Sequence, residues 1–288
     1  MPALTRGGFT LPELLVALTL FGLVSAGALG LLRQTRDAYR AESQEIDLQQ
    51  NLRIAAAFLP AELRELDAAD GDLVAMTDTA ITIRAARQLA VACRSPGWSG
   101  PGGALTLTLR DTPFFGLRDF NPSVDSLWVY SEVDADASDD GGWILGSIAS
   151  VAPDSCPDGQ PGRRVTTVLR PTAGQVSPER AIPSGAPVLG FETVTYRLYR
   201  STEDRRWYVG MKTATDLQPL LGPVTSDGLA FAYFDSSGAV TTDPSRVSLI
   251  EVRVRALTDQ PIRRAGGRLG HQVDSLVTLV ALRNNRRF

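Results

Sequence analysis

The chain has 288 residues, 29 basic and 32 acidic side chains, and a formal net charge of −3. That balance excludes the strongly basic footprint of a nucleic-acid-binding surface. The length leaves room, beyond a membrane helix, for one large globular domain or two small ones, and no internal repeat, heptad array or long low-complexity tract interrupts it.

The first element is an apolar helix behind a short basic leader. Arg6-Gly7-Gly8-Phe9-Thr10-Leu11-Pro12-Glu13 runs into Leu14–Leu32, which carries no charge and only Thr19 and Ser25 as polar side chains. With residues 9–12 it reaches the roughly 20 residues that span a bilayer core. A secretory signal peptide would place its small-residue cleavage site after a shorter apolar run, and Ala26-Gly27-Ala28 is a weak competitor of that kind. The Gly8-Phe9 junction ahead of the run, with one carboxylate at the head of the helix, closely resembles the cleavage and methylation signal of type IV prepilins and type II secretion pseudopilins. The resemblance implies a leader, residues 1–8, removed by the prepilin peptidase after Gly8. It implies N-methylation of Phe9, an assembly carboxylate at Glu13, and a membrane and assembly helix over residues 9–32.

Glu13 has two readings. It can start the helix from the headgroup layer, where Pro12 suits the first turn and an acid suits the dipole. The resemblance adds a partner: the amine that cleavage frees on a neighbouring subunit would neutralise Glu13 inside a fibre. Pro12 stands where the family usually carries an aliphatic residue. Arg33, Arg36 and Arg40 flank the outer end of the run, against Arg6 and the initial amine on the leader side. The positive-inside rule alone would therefore not place the leader in the cytoplasm; the leader motif does.

Residues 33–68 extend the helix beyond the membrane. Leu48, Leu52, Ala55, Leu59, Leu63 and Leu66 recur at steps of three and four, which puts them on one face. Pro60 cannot donate to the carbonyl of Ala56, so a kink or short break is expected there, with a final helical piece through Leu66. Ala69-Asp70-Gly71-Asp72 ends the helical region.

From residue 69 the pattern turns to period two. Ala80–Arg84, Ala104–Leu109, Ser126–Ser131, Arg164–Leu169, Pro187–Leu198, Arg206–Met211, Leu229–Phe234, Ser248–Ala256 and Ser275–Leu282 read as strands. Arg200–Arg205 joins a hairpin, and Phe234-Asp235-Ser236-Ser237-Gly238 is a turn. Helix first and strands after predicts an α+β fold, a long helix packed on a mostly antiparallel sheet. That is a pilin-like architecture, with residues 69–288 forming the β-rich domain and an insertion over about 97–187. Trp207–Gly210, Leu217–Leu221, Leu229–Asp235 with Gly238, and the Val247–Val254 strand resemble the J-type minor pseudopilins and the W-type minor pilins. The closing Val277–Asn284 strand and the length lean toward the pilin group.

Residues that could carry chemistry are few. His271 is the sole histidine and follows the Gly266–Gly270 loop, the setting of a solvated side chain rather than a catalytic base. Gly97–Gly103 does not join a strand to a helix as a phosphate cradle would. Cys93 and Cys156 are the only cysteines; in an oxidising compartment they pair as a disulfide, the alternative being two unlinked thiols. Asp134, Asp136, Asp139 and Asp140 lie just before Gly141-Gly142. Such alternating acids can wrap calcium, or form a solvated acidic loop. No other cofactor is expected.

The resemblance implies a non-catalytic minor pilin or minor pseudopilin taking part in initiation or tip assembly of a type IV pilus or a type II secretion pseudopilus. Its partners would be sibling minor subunits, the prepilin peptidase and the inner-membrane assembly platform. The chain would be single-pass in the inner membrane, with its globular domain in the periplasm. The alternative is a fibre-tip or membrane-anchored adhesin whose insertion contacts a ligand.

Overall fold

The computed structural model describes residues 10–98, 104–116, 118–132, 142–170, 182–263 and 268–283. Helix α1 (Leu11–Arg64) leads the chain. Among the described residues it is followed by β1 (Leu73–Met76), β2 (Ala80–Val91), β3 (Gly97–Trp98), β4 (Leu105–Arg110), β5 (Phe115–Gly116), β6 (Asp125–Ser131), β7 (Gly142–Ser155) and β8 (Pro161–Arg170). Then come β9 (Pro187–Arg200), β10 (Trp207–Lys212), β11 (Leu217–Phe234), β12 (Leu249–Leu257), β13 (Ile262–Arg263), β14 (Leu269–Gly270) and β15 (Val273–Ala281). All pairings are antiparallel, and the fold is α+β, a long helix on a large sheet.

The apolar stripe of α1 packs as its spacing predicts. Leu48, Ala55, Leu59, Leu63 and Leu66 are buried, and Leu52 is partly so. They meet Ile81 and Ile83 of β2, Val194 and Tyr196 of β9, and Ile250, Val252 and Val254 of β12. Phe58 sets its edge on the ring of Tyr196, centroids 5.9 Å apart. The break expected at Pro60 does not occur: α1 is continuous through it and ends at Arg64, short of Leu66. Proline forfeits one hydrogen bond here. Leu59, Pro60 and Leu63 are all buried, and that packing holds the turn in helical form. The Arg283 N–H, leaving β15, donates to the Arg64 carbonyl at 2.8 Å, satisfying one of the open groups at the helix end. The Asp67 carboxylate then accepts from the N–H groups of Ala69 and Asp70, and Gly71 takes φ +83, a left-handed turn that suits glycine.

The sheet forks at β9. One edge of β9 pairs with β2 from Ala80↔Arg197 to Val91↔Pro187. The other edge is shared: Thr195–Arg200 pairs with β10, and Val188–Glu192 with β6. One branch continues through β11 and β12 to β15, under α1. The other runs through β6, β7, β8 and β4, and closes on itself. Ala92, just past β2, bridges Leu109 of β4, and the Cys93 N–H donates to the Thr108 carbonyl at 2.8 Å. A second core fills this ring, with Leu105, Leu107, Leu127, Val129, Val165 and Val188 among its members.

Strand β2 serves both cores by changing parity. Ile81, Ile83 and Ala85 enter the first core, whereas Ala90 and Ala92 enter the second. The register slips between Ala86 and Gln88, a β-bulge at Arg87. β9 has no such slip: Val188 in one core and Val194 and Tyr196 in the other share a face.

Among the described residues, β1, β3, β5, β7, β13 and β14 lie outside the period-two segments, and β2 and β11 run well past them. The pattern does not predict β7, because Gly146, Pro153 and several small residues weaken its β signal and a register shift near Ser150 breaks the alternation. It forms because β6 and β8 pair with it on both sides. β11 begins at Leu217 although Pro219 and Pro223 argue against a strand there.

Candidate functional site

The first candidate site is the N-terminal part of α1. Thr10 is its N-cap, in extended conformation, and Pro12 lies in the first turn. The Glu13 carboxylate reaches back to the Thr10 N–H at 3.4 Å and the Thr10 hydroxyl at 3.5 Å. Both distances are long for hydrogen bonds, so the grip is weak. From Leu11 to Leu32 the large apolar side chains point outward all round the helix, including Leu14, Leu18, Phe21, Val24 and Leu31. The Thr19 hydroxyl donates to the Val16 carbonyl at 2.9 Å and the Thr35 hydroxyl to the Leu31 carbonyl at 2.8 Å, so neither needs water. By length and composition α1 can cross a membrane.

The second feature is a polar junction between the two cores. Arg87, on the bulge of β2, directs Nη1 at both carboxylate oxygens of Glu62 on α1, at 2.9 and 3.1 Å. Its Nε donates to Glu192 of β9 at 3.5 Å, and the Tyr196 hydroxyl donates to Glu62 at 2.8 Å. Arg118 then bridges Glu192, at 3.3 Å, to Asp125 at the start of β6, at 2.6 and 2.7 Å. Gln88 Nε2 and the Asn121 N–H also donate to the buried Asp125. Burial opposes the charge of Arg87, but the hydrogen bond and charge of Glu62 outweigh it and raise its pKa. Burial, then the charge of Glu62, pushes the Tyr196 phenol upward, so it stays a donor. The pattern of apolar residues gave no sign of this junction. The available signal was an Arg87-Gln88 pair just past the period-two Ala80–Arg84 segment, with Glu62 between Leu59 and Leu63 of the helix stripe.

Residues 5–29 match the prokaryotic N-terminal methylation motif. No curated protein and no solved structure matches the chain. The methylation motif takes in the end of the leader from Thr5, the Gly8-Phe9 junction, Glu13 and most of the apolar run, and it supports a type IV prepilin-like family. It implies processing by a prepilin peptidase and anchoring in the membrane through α1.

The other sequence-predicted residues fall as follows. Gly8 and Phe9 of the prepilin-type motif lie outside the described residues, as do Asp134, Asp136, Asp139 and Asp140 of the acidic loop. Among the described residues, no group of three or more His, Cys, Asp or Glu side chains is placed to hold a metal. Cys93 and Cys156 are joined as a disulfide, with Cα atoms 5.6 Å apart. The bridge ties the end of β2 to the turn between β7 and β8, beside the seam that closes the ring. His271 Nδ1 lies 2.7 Å from the Thr258 carbonyl, so that ring nitrogen is engaged by backbone. What the arrangement offers is a helix long and apolar enough to anchor, a carboxylate at its bare head, and a β-domain packed on its other end.

Proposed function

We propose that this chain is a minor pilin or minor pseudopilin that takes part in the initiation or tip assembly of a type IV pilus or a type II secretion pseudopilus. One observation carries the reading: a methylation motif continuous with a helix that is bare over Leu11–Leu32 and buried on its own sheet over Leu48–Leu63. An apolar surface of that length must be covered. Lipid covers it in the membrane, and the helices of sibling subunits replace lipid in a fibre. The exchange is selective because Glu13 is expensive in an apolar setting unless an amine neutralises it. Cleavage after Gly8 creates that amine on Phe9 of the neighbour. The β-domain acts as a non-catalytic interaction module in the periplasm, where the Cys93–Cys156 bridge is at home.

The test is the mature N-terminus. In cells carrying a prepilin peptidase, mass spectrometry should find a protein that begins at N-methylated Phe9. A start near Ala28, or an intact leader, overturns the assignment.

A further inference from the structure

Five arginines collect where α1 leaves its apolar run, and neither the leader nor the assembly carboxylate gives them a role. Arg33, Arg36 and Arg40 are exposed on the helix. Strand β13 of the β13–β14 ribbon lies against α1 at the level of Asp37. Gln34, Asp37, Ala38, Ala41 and Arg263 line the groove between them, and Arg263 Nε stands 3.9 Å from Asp37. Arg263 pairs across the ribbon with Leu269, whose neighbour Arg268 is exposed; Leu269 is itself 70% exposed. At 1.5 Å per residue, Gln34 and Asp37 stand roughly 3 and 7.5 Å beyond Leu32 along the helix. The headgroup layer on each side of a bilayer is about 5–8 Å thick, so helix and ribbon meet inside it. Asp37 is the one acid among the described residues at this level. Glu42 lies roughly 15 Å beyond Leu32 by the same rise. Asp259 sits higher, beside Gln260, whose N–H donates to Gln44, and is paired with Arg206.

We infer that the β13–β14 ribbon docks on anionic phospholipid headgroups through Arg263, Arg268 and Leu269, alongside Arg33 and Arg36, and so sets the height and tilt of the β-domain on the membrane before assembly. The inference rests on the reading that Leu11–Leu32 spans the bilayer. Four cations, Arg33, Arg36, Arg263 and Arg268, against one acid match a diffuse anionic surface, with Arg40 roughly 12 Å beyond Leu32 at its outer margin. Long arginine stems can lie along the acyl boundary while their guanidinium groups stay among phosphates. The exposed leucine between them supplies the apolar contact that an interfacial element needs.

The experiment uses the full chain reconstituted into vesicles of phosphatidylcholine alone and of phosphatidylcholine with phosphatidylglycerol. Amide hydrogen exchange is read on a peptide spanning residues 268–273. Exchange should be slower in the anionic vesicles, and high salt should remove the difference. Arg268→Gln should lower the docked-to-free ratio about fivefold, the equivalent of ~1 kcal/mol per arginine near such a surface. Arg263→Gln/Arg268→Gln should abolish the protection while exchange in β12 is unchanged. A chain that fails to float with vesicles of either kind overturns the membrane reading itself. A chain that floats but shows equal ribbon exchange in both vesicle types, or protection untouched by the double substitution, overturns the docking alone.

Discussion

Replacing Arg87 with methionine tests whether the polar junction holds the helix to the sheet. The side chains of Arg87, Glu62 and Glu192 are 12, 17 and 12% exposed, so these are largely dehydrated ion pairs. Removing one member of such a pair costs about 3–5 kcal/mol, because the remaining charge stays behind without its partner. Glu62 would keep the Tyr196 hydroxyl and Glu192 would keep Arg118. That places Arg87→Met at the lower end, about 3 kcal/mol. In a domain of this size each kcal/mol moves Tm by roughly 2–4 °C, so a fall of roughly 6–12 °C is expected. The assay is thermal unfolding of the full chain in detergent, followed by near-UV circular dichroism. Glu62→Gln should fall by a similar amount. The double variant should lose less than the sum, with a coupling of about 1–3 kcal/mol, because it leaves no charge stranded at that contact. A shift below about 2 °C for Arg87→Met, the behaviour of an exposed salt bridge, or strict additivity in the double variant, would refute the reasoning.

Glu13→Val should insert into the membrane as well as wild type, since it removes an insertion cost of a few kcal/mol, yet be depleted from sheared fibres or cross-linked tip complexes. Equal recovery would leave Glu13 with its helix-start role alone. Reduction of Cys93–Cys156 should give a gel-mobility shift. It should also lower stability by up to ~4 kcal/mol, the loop-closure value for this separation, with faster hydrogen exchange at the Cys93 amide, which donates to the Thr108 carbonyl where the ring closes. Unchanged stability would show that the seam holds without the bridge. Burial raises the pKa of Asp72, against the opposing hydrogen bond from the Asp67 N–H. A raised folded value means stability that is present in acid and lost as pH rises through it. Asp72→Asn should therefore raise Tm at neutral pH and lose that advantage below the unfolded value of 3.8. A lower Tm at neutral pH would show that the hydrogen bond outweighs the burial.

Much of this protein is legible in short stretches of chain. The apolar run, the Gly8-Phe9 junction and Glu13 are local, and they mark the anchor and the methylation motif. The steps between Leu48 and Leu66 are likewise local, and that face is the one buried. The nine period-two segments all lie within or closely overlap strands, because alternation is written into any strand with one wet face. Tertiary structure decided the rest. Packing kept α1 helical through Pro60, and pairing on both edges made a strand of β7 despite its weak β signal. The parity change at Arg87 depends on which residue of β9 stands opposite, so no periodicity within β2 could reveal it. That single slip turns one strand from the helix core to the ring core and leaves Arg87 between Glu62 and Glu192. The ribbon comes to Asp37 from more than 200 residues away. Contacts between distant parts of the chain leave no repeating signal in either part, because each segment's own pattern records only which of its faces is buried and not what buries it.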